Sequence, residues 1–313
     1  MLFAVESWDP DYGTGGDAEG LDASTDVVEA GVEVPIAEWA PITPPPAVEV
    51  PAMWFVDGVR RIDARIWVTD DGLVLPGSCA TVAAGAVVCT PGRAEVVGAE
   101  VRRAVFTPPA ESTGDIVTEH GVYEHHVVST GSPEDLYLGI HELMTDLETT
   151  IVPEVGPRDL IVFDGPLRGR RTPRAVGLIK TQHVQYLEDS LQRVVGRLEA
   201  GQRTPMFLIG STGFARWSWY VRLPGPRTHG WAGVIRLESA GEGTVEAAAE
   251  LANTVTAALP RFASEPHKEN RAPQNLYPIK GLENELRRRL GDQRLLQRAL
   301  RAAAGPTSDA SVS

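Results

Sequence analysis

"MWFVDGVRRIDARIWV", residues 53–68, decides the reading of this chain. Met53, Trp54, Phe55 and Val56 precede Asp57, and Val59, Ile62, Ile66 and Trp67 follow it. β-Branched and aromatic residues dominate and Pro51 marks the entrance, so the stretch reads as a strand. An ionised carboxylate within such a run is costly unless a partner compensates it. The question is what Asp57 faces.

The strand does not stand alone. Residues 72–75 with 79–89, and then 95–106, read as two more strands, set off by "TDDG" and "TPGRAE". Closely spaced strands with short turns predict an antiparallel meander. The segment 107–130 is polar, with His120, His125 and His126. Residues 133–149 place Leu136, Ile140, Leu143 and Leu147 at helical spacing. "RDLIVFDGPL" is a short buried strand that delivers Asp164 to its end, and "AVGLIKT" is another. Helices are expected over 183–201, 243–259 and 280–303, with later strands in "TPMFLIGS", "WSWYVRLP" and "WAGVIRLE". A meander followed by alternating helices and strands predicts an α/β fold, a mixed sheet flanked by helices.

The 313 residues are 42% hydrophobic, enough for a sizeable core. No apolar stretch reaches the roughly 18 residues of a membrane span. The first residues carry acids and no basic n-region, so they do not read as a signal peptide, and a cytoplasmic location is expected. Cys79 and Cys89 read as small buried hydrophobes in a strand pair, with a disulfide as the other possibility. Net charge is -13, but residues 1–50 hold eleven acids and no Lys or Arg, leaving 31 acids against 29 bases elsewhere. The body is near neutral, so local basic clusters can still meet a polyanion. Residues 1–50 read as an acidic, partly disordered arm with a Pro-rich lead-in at 41–51, residues 51–304 as one domain and 305–313 as a tail.

Asp57 and Asp164 share a pattern of apolar run, Asp, Gly. Each Asp-Gly also reads as a turn. Side by side, two carboxylates about 4 Å apart would repel by roughly 4 kcal/mol at an effective dielectric near 20. A hard divalent cation, Mg²⁺ or Mn²⁺, would relieve that. The helix between them carries Glu142, Asp146 and Glu148. Arg168, Arg170, Arg171, Arg174 and Lys180 follow Asp164 closely and suit a phosphate backbone, or a solvated loop. Trp217, Trp219 and Tyr220 could stack bases, though strand alternation makes one face core. The helix "ELRRRLGDQRLLQRALR" is basic and amphipathic, and DNA, a partner or solvent could face it. The histidines fit no closed metal site.

"FVDGVRR", "LIVFDGPL", "VGLIKT" and "NLYPIKGLENELRRRLGD", in this order and spacing, resemble the NurA nuclease family over about residues 50–295. The resemblance implies an RNase H-like fold. It also implies Mn²⁺-dependent (or Mg²⁺-dependent) 5′–3′ exonuclease and single-strand endonuclease activity on DNA, a homodimer, and a HerA-like hexameric ATPase as partner in DNA end processing and repair. On the matching positions, Asp57 and Asp164 are the implied metal carboxylates. Glu142 is the choice for the helix carboxylate, with Asp146 and Glu148 in reserve. Lys180 is the lysine that would bind the scissile phosphate, and Glu283 is a further metal or water-orienting group. Two-metal hydrolysis is the implied mechanism. Val59 and Pro166 stand where the family has serines; Tyr277-Pro278-Ile279 matches the core of the family's C-terminal Pro-Tyr-Pro-Leu box, and Gln274-Asn275 stands before it, where a histidine is absent. A catalytically weak or inactive dimeric adaptor for the ATPase is the alternative.

Overall fold

The computed structural model describes residues 22–23, 26–46, 52–152, 155–181, 184–210 and 214–304. Along the chain run β1 (Asp22–Ala23), β2 (Val27–Glu29), β3 (Met53–Asp70), β4 (Leu73–Thr90), β5 (Arg93–Thr107), β6 (Ile116–Thr118) and β7 (Gly121–Val127). Then follow α1 (Pro133–Thr150), β8 (Leu160–Asp164), β9 (Ala175–Ile179), β10 (Val184–Gln185), α2 (Asp189–Arg197), β11 (Phe207–Gly210), β12 (Arg216–Arg222) and β13 (Val234–Ala240). Three helices close the described chain: α3 (Val245–Ala258), α4 (Tyr277–Arg289) and α5 (Gln293–Ala303).

Two tight turns shape the meander. Asp71 (φ 44°) and Gly72 (φ 78°) are both left-handed, as a two-residue hairpin of the type that matches strand twist requires. Pro91 and Gly92 (φ 76°) turn β4 into β5. β8 runs parallel to the first residues of β3, and β9 runs parallel to β8. The strand order β5-β4-β3-β8-β9 is that of an RNase H-like sheet, and helices flank it.

The chain forms two compact units, dividing within β3 between Val56 and Asp57. The first draws on residues up to 56, 87–95 and 154–281. In it the strand order is β2-β11-β12-β13-β9-β8-β3. Phe55, Val162, Leu178, Trp219 and Leu237 form a core with Ala252 and Val255 of α3. A separate core joins Leu191, Val194 and Val195 of α2 to Phe207, Tyr220 and Val234. With both faces covered, β8 and β9 read as continuous apolar runs rather than alternating ones. Arg203, 1% exposed, is also enclosed here, and its guanidinium reaches both oxygens of Glu33 at 2.8 and 2.6 Å. Glu33 also accepts the Met206 N–H at 2.6 Å.

The second unit draws on residues 57–86, 96–153 and from 282 onward. α1 lays Leu136, Ile140, Leu143 and Leu147 against Ala80, Val82 and Phe106. Leu282, Leu286 and Leu290 pack on Val59 and Ala83. Asp63 is buried but compensated by Arg61 Nε at 2.8 Å, the Thr81 hydroxyl and Tyr123 OH at 3.0 Å. Burial and the neighbouring Asp63 push the Tyr123 phenol above its usual range.

Cys79 and Cys89 are both free and buried. Burial pushes their thiols up to about 12 and about 11 respectively.

Three sequence expectations change. The helix expected over 280–303 is two helices, because Gly291 (φ 81°) is left-handed and Asp292 caps α5 by accepting the Leu295 N–H. The helix expected over 183–201 is shorter, beginning at Asp189. The polar histidine segment contains β6 and β7. Within the acidic arm, residues 26–46 are folded: β2 pairs with β11, and Trp39 is buried. The rest of that arm, apart from β1, lies outside the described residues, as do 47–51 of the Pro-rich lead-in and the 305–313 tail. Among the described residues no helix is long and apolar enough to cross a membrane.

Candidate functional site

β8 ends as the sequence predicts. Leu160 to Phe163 are buried, and Asp164 emerges partly exposed. The turn behind it is built with care. Gly165 (φ 94°) takes a backbone that L side chains rarely adopt, and its N–H donates to Leu178 O at 2.9 Å. The chain then passes over Gly177 of β9 so closely that a Cβ there would lie 2.7 Å from Gly165 O and 2.9 Å from the Leu167 nitrogen. Leu167 N–H donates to Glu238 Oε1 at 2.7 Å. Glu238, 1% exposed, is held in turn by Arg236 at 2.9 Å and Arg216 at 3.4 Å. A buried ion cluster on β12 and β13 thus fixes the loop that follows Asp164.

Lys180, just after β9, meets this strand end. Its Nζ donates to Asp164 Oδ2 at 2.6 Å and to Asn275 Oδ1 at 2.8 Å. Asn275 is fully buried, and its Nδ2 donates to Glu269 Oε2 at 3.3 Å. Glu269 also takes the Arg271 N–H and guanidinium and the Lys280 ammonium at 3.1 Å. Burial alone would raise the Glu269 carboxyl, but the Arg271 backbone N–H, Lys280 and the Arg271 charge outweigh it and hold it at about 2. A folded-state pKa below the unfolded one gives stability that is present above pH 4.5 and is lost as pH falls toward about 2. Glu269→Gln is therefore expected to flatten the fall in stability over that window, read from urea midpoints at stepped pH.

In the second unit, Asp57 is 8% exposed and its Oδ1 accepts the Gly58 N–H at 2.8 Å. Gly58 has a steric reason to be glycine: a Cβ there would fall 2.4 Å from Glu148 Oε1 and 2.7 Å from Met144. Glu148 is buried against this Asp-Gly backbone, whereas Glu142, the sequence choice, and Asp146 stand on the exposed face of α1. Helical spacing alone did not say which carboxylate turns inward. Glu283 is buried and accepts from Arg287 one turn on, at 2.9 Å.

The basic loop is less open than its sequence suggests. Arg170 is buried, its guanidinium 4.5 Å from the Phe163 ring centre. Arg171 pairs with Glu242, and Arg174 donates to Asp159 O at 3.1 Å. Arg168 is exposed. Trp217, Trp219 and Tyr220 are buried on both faces of β12 and present no surface on which bases could stack. His125 bonds Thr107, and His141 bonds Tyr137. His183 lies outside the described residues.

Among the described residues no three His, Cys, Asp or Glu side chains gather as a metal-holding group. Asp164 is a hard oxygen donor of the kind Mg²⁺ or Mn²⁺ takes, and its Oδ2 accepts from the Lys180 ammonium. Asn275, Glu269 and Glu238 were not singled out from sequence as site residues. Asn275 alone had a signal, its place just before the "LYPIK" box.

No family model matches the chain, and no curated protein does. Among solved structures it is similar to the NurA nuclease from Sulfolobus solfataricus, at 10% identity over 84% of this chain and 88% of that one, with a TM-score of 0.47. It is also similar to endonuclease V from Bacillus subtilis, at 10% identity over 82% and 88%, with a TM-score of 0.33. The catalytic domain of human endonuclease V follows at 17% identity over 79% and 90%, with a TM-score of 0.29.

Proposed function

We propose that the chain is a metal-dependent nuclease of the NurA type that hydrolyses DNA phosphodiesters. One observation carries the reading. In the parallel register of β3 and β8, Val56 is opposite Phe163, and on each strand the next two residues are Asp-Gly. Asp57 and Asp164 are the proposed metal carboxylates, and Glu148 replaces Glu142 as the helix carboxylate because it is the buried one. When bound, Mn²⁺ or Mg²⁺ would supply an activated water and stabilise the leaving oxygen. Lys180 offers an ammonium beside Asp164 that would orient the scissile phosphate. Activity as a 5′–3′ exonuclease and single-strand endonuclease, dimer formation and work beside a HerA-like ATPase in end processing belong to the same proposal.

The test is cleavage of 5′- and 3′-labelled single-stranded DNA with Mn²⁺, Mg²⁺ or EDTA. The wild type is expected to cut only with metal, and Asp57→Ala and Asp164→Ala to lose activity by about 10³-fold or more. Metal-independent cutting, or normal cutting by either variant, would sink the reading. No cutting by the wild type, with or without the ATPase, would favour the adaptor.

A further inference from the structure

The chain uses 26 arginines and only three lysines, Lys180, Lys268 and Lys280. Two of the three belong to one hydrogen-bonded series. Asp164 accepts from Lys180, Lys180 donates to Asn275, Asn275 donates to Glu269, and Glu269 accepts from Lys280. The amide at the centre has no freedom to flip. Its oxygen faces an ammonium and its nitrogen faces a carboxylate, so either reversal would set like partners together. An ammonium is a compact charge on a flexible stem, free to rotate unless something fixes it. Lys180 is 7% exposed and Asn275 is fully buried, so the fixing happens away from bulk water.

We propose that Asn275, oriented by Glu269, is a positioning residue that fixes the Lys180 ammonium beside Asp164 for an incoming phosphate. The phosphate role rests on the nuclease reading; the fixing does not. Asn275 itself need not touch substrate. Its carbonyl sets the direction of one ammonium N–H, and Asp164 sets a second. The hydrogen bonds described link Glu269 to the Lys180 ammonium through the amide. A carboxylate at 275 would keep the acceptor for Lys180 but lose the donor and set a second carboxylate against Glu269, a repulsion that Glu269→Gln in the same chain removes. A leucine of similar size would lose both.

The experiment uses the full chain with ¹⁵N-labelled lysine, whose three ammonium signals are assigned with Lys180→Arg and Lys280→Arg. In the wild type the Lys180 ammonium is expected to exchange slowly with water. Asn275→Leu should speed that exchange about tenfold or more, and Glu269→Gln should speed it less, with the fold intact in backbone spectra. Glu269→Gln supplies the comparison if the leucine variant fails to fold. Fast exchange in the wild type, or no change in either variant, would overturn the proposal. In cleavage assays kcat/KM should fall about tenfold or more in Asn275→Leu and less in Asn275→Asp combined with Glu269→Gln. Equal loss in both, or no loss alongside a loosened ammonium, would overturn the positioning role. A protected Lys180 in a wild type that neither binds nor cuts DNA would instead remove the nuclease reading and leave the fixing standing.

Discussion

Arg203→Met is expected to lower the unfolding free energy by about 3 kcal/mol, the low end of the cost of breaking a buried pair, because the Glu33 carboxylate left behind is partly exposed. Arg203 is 1% exposed and donates to Glu33, to Asn253 at 2.8 Å and to Thr204 O at 3.0 Å. Methionine fills much of the volume but supplies none of these donors. Glu33 would keep only the Met206 N–H among the bonds described for it. The double variant Arg203→Met with Glu33→Gln should recover a sizeable part of the loss, because no isolated charge then remains. Urea midpoints for the two singles and the double measure the coupling. Additive losses would show that the pair acts through packing alone. The pair also ties residue 33 of the acidic segment to β-sheet structure nearly 170 positions later, so the variant tests whether that segment contributes to stability.

Gly177→Ala is expected to cut turnover by about 10²-fold while leaving the protein folded, since displacements near 1 Å around a reacting centre cost that much. The added methyl would meet Gly165 O at 2.7 Å and the Leu167 nitrogen at 2.9 Å, both backbone atoms that cannot swing aside. The loop must therefore lift, carrying with it the residues that follow Asp164. Glu238 would be drawn along or would lose its bond to Leu167. Circular dichroism and a urea midpoint near that of the wild type, with cleavage lost, would support the argument. Full activity in Gly177→Ala would show that the loop has slack and that Asp164 does not depend on it.

Much of the fold could be read from local pattern. The three meander strands, the helix at 133–150, and the short strands ending in Asp164 and Ile179 follow from periodicity and turn chemistry, which act over a few residues. The site was legible only where chemistry sits at a strand end. Asp164 and Lys180 are brought together by two adjacent parallel strands; the apolar runs placed each at a strand end but did not set the two strands side by side. Asn275 and Glu269 reach the same place from about a hundred residues later, and no local signal marks that distance. Glu148 faces inward and Glu142 outward because positions on a helix differ by its rotation about its axis, which spacing leaves free. The tryptophans of β12 were ambiguous because alternation predicts one covered face, and this strand has two.

The two cysteines lend themselves to one more use. One thiol, Cys89, lies in the first unit and the other, Cys79, in the second. Burial and raised pKa make both poor nucleophiles while the chain stays closed. Alkylation must then wait for an opening event, and its rate under native conditions reports that event's free energy. Each unit thus carries its own chemical clock, so labelling followed by peptide mass analysis can tell whether they open in one step or in two.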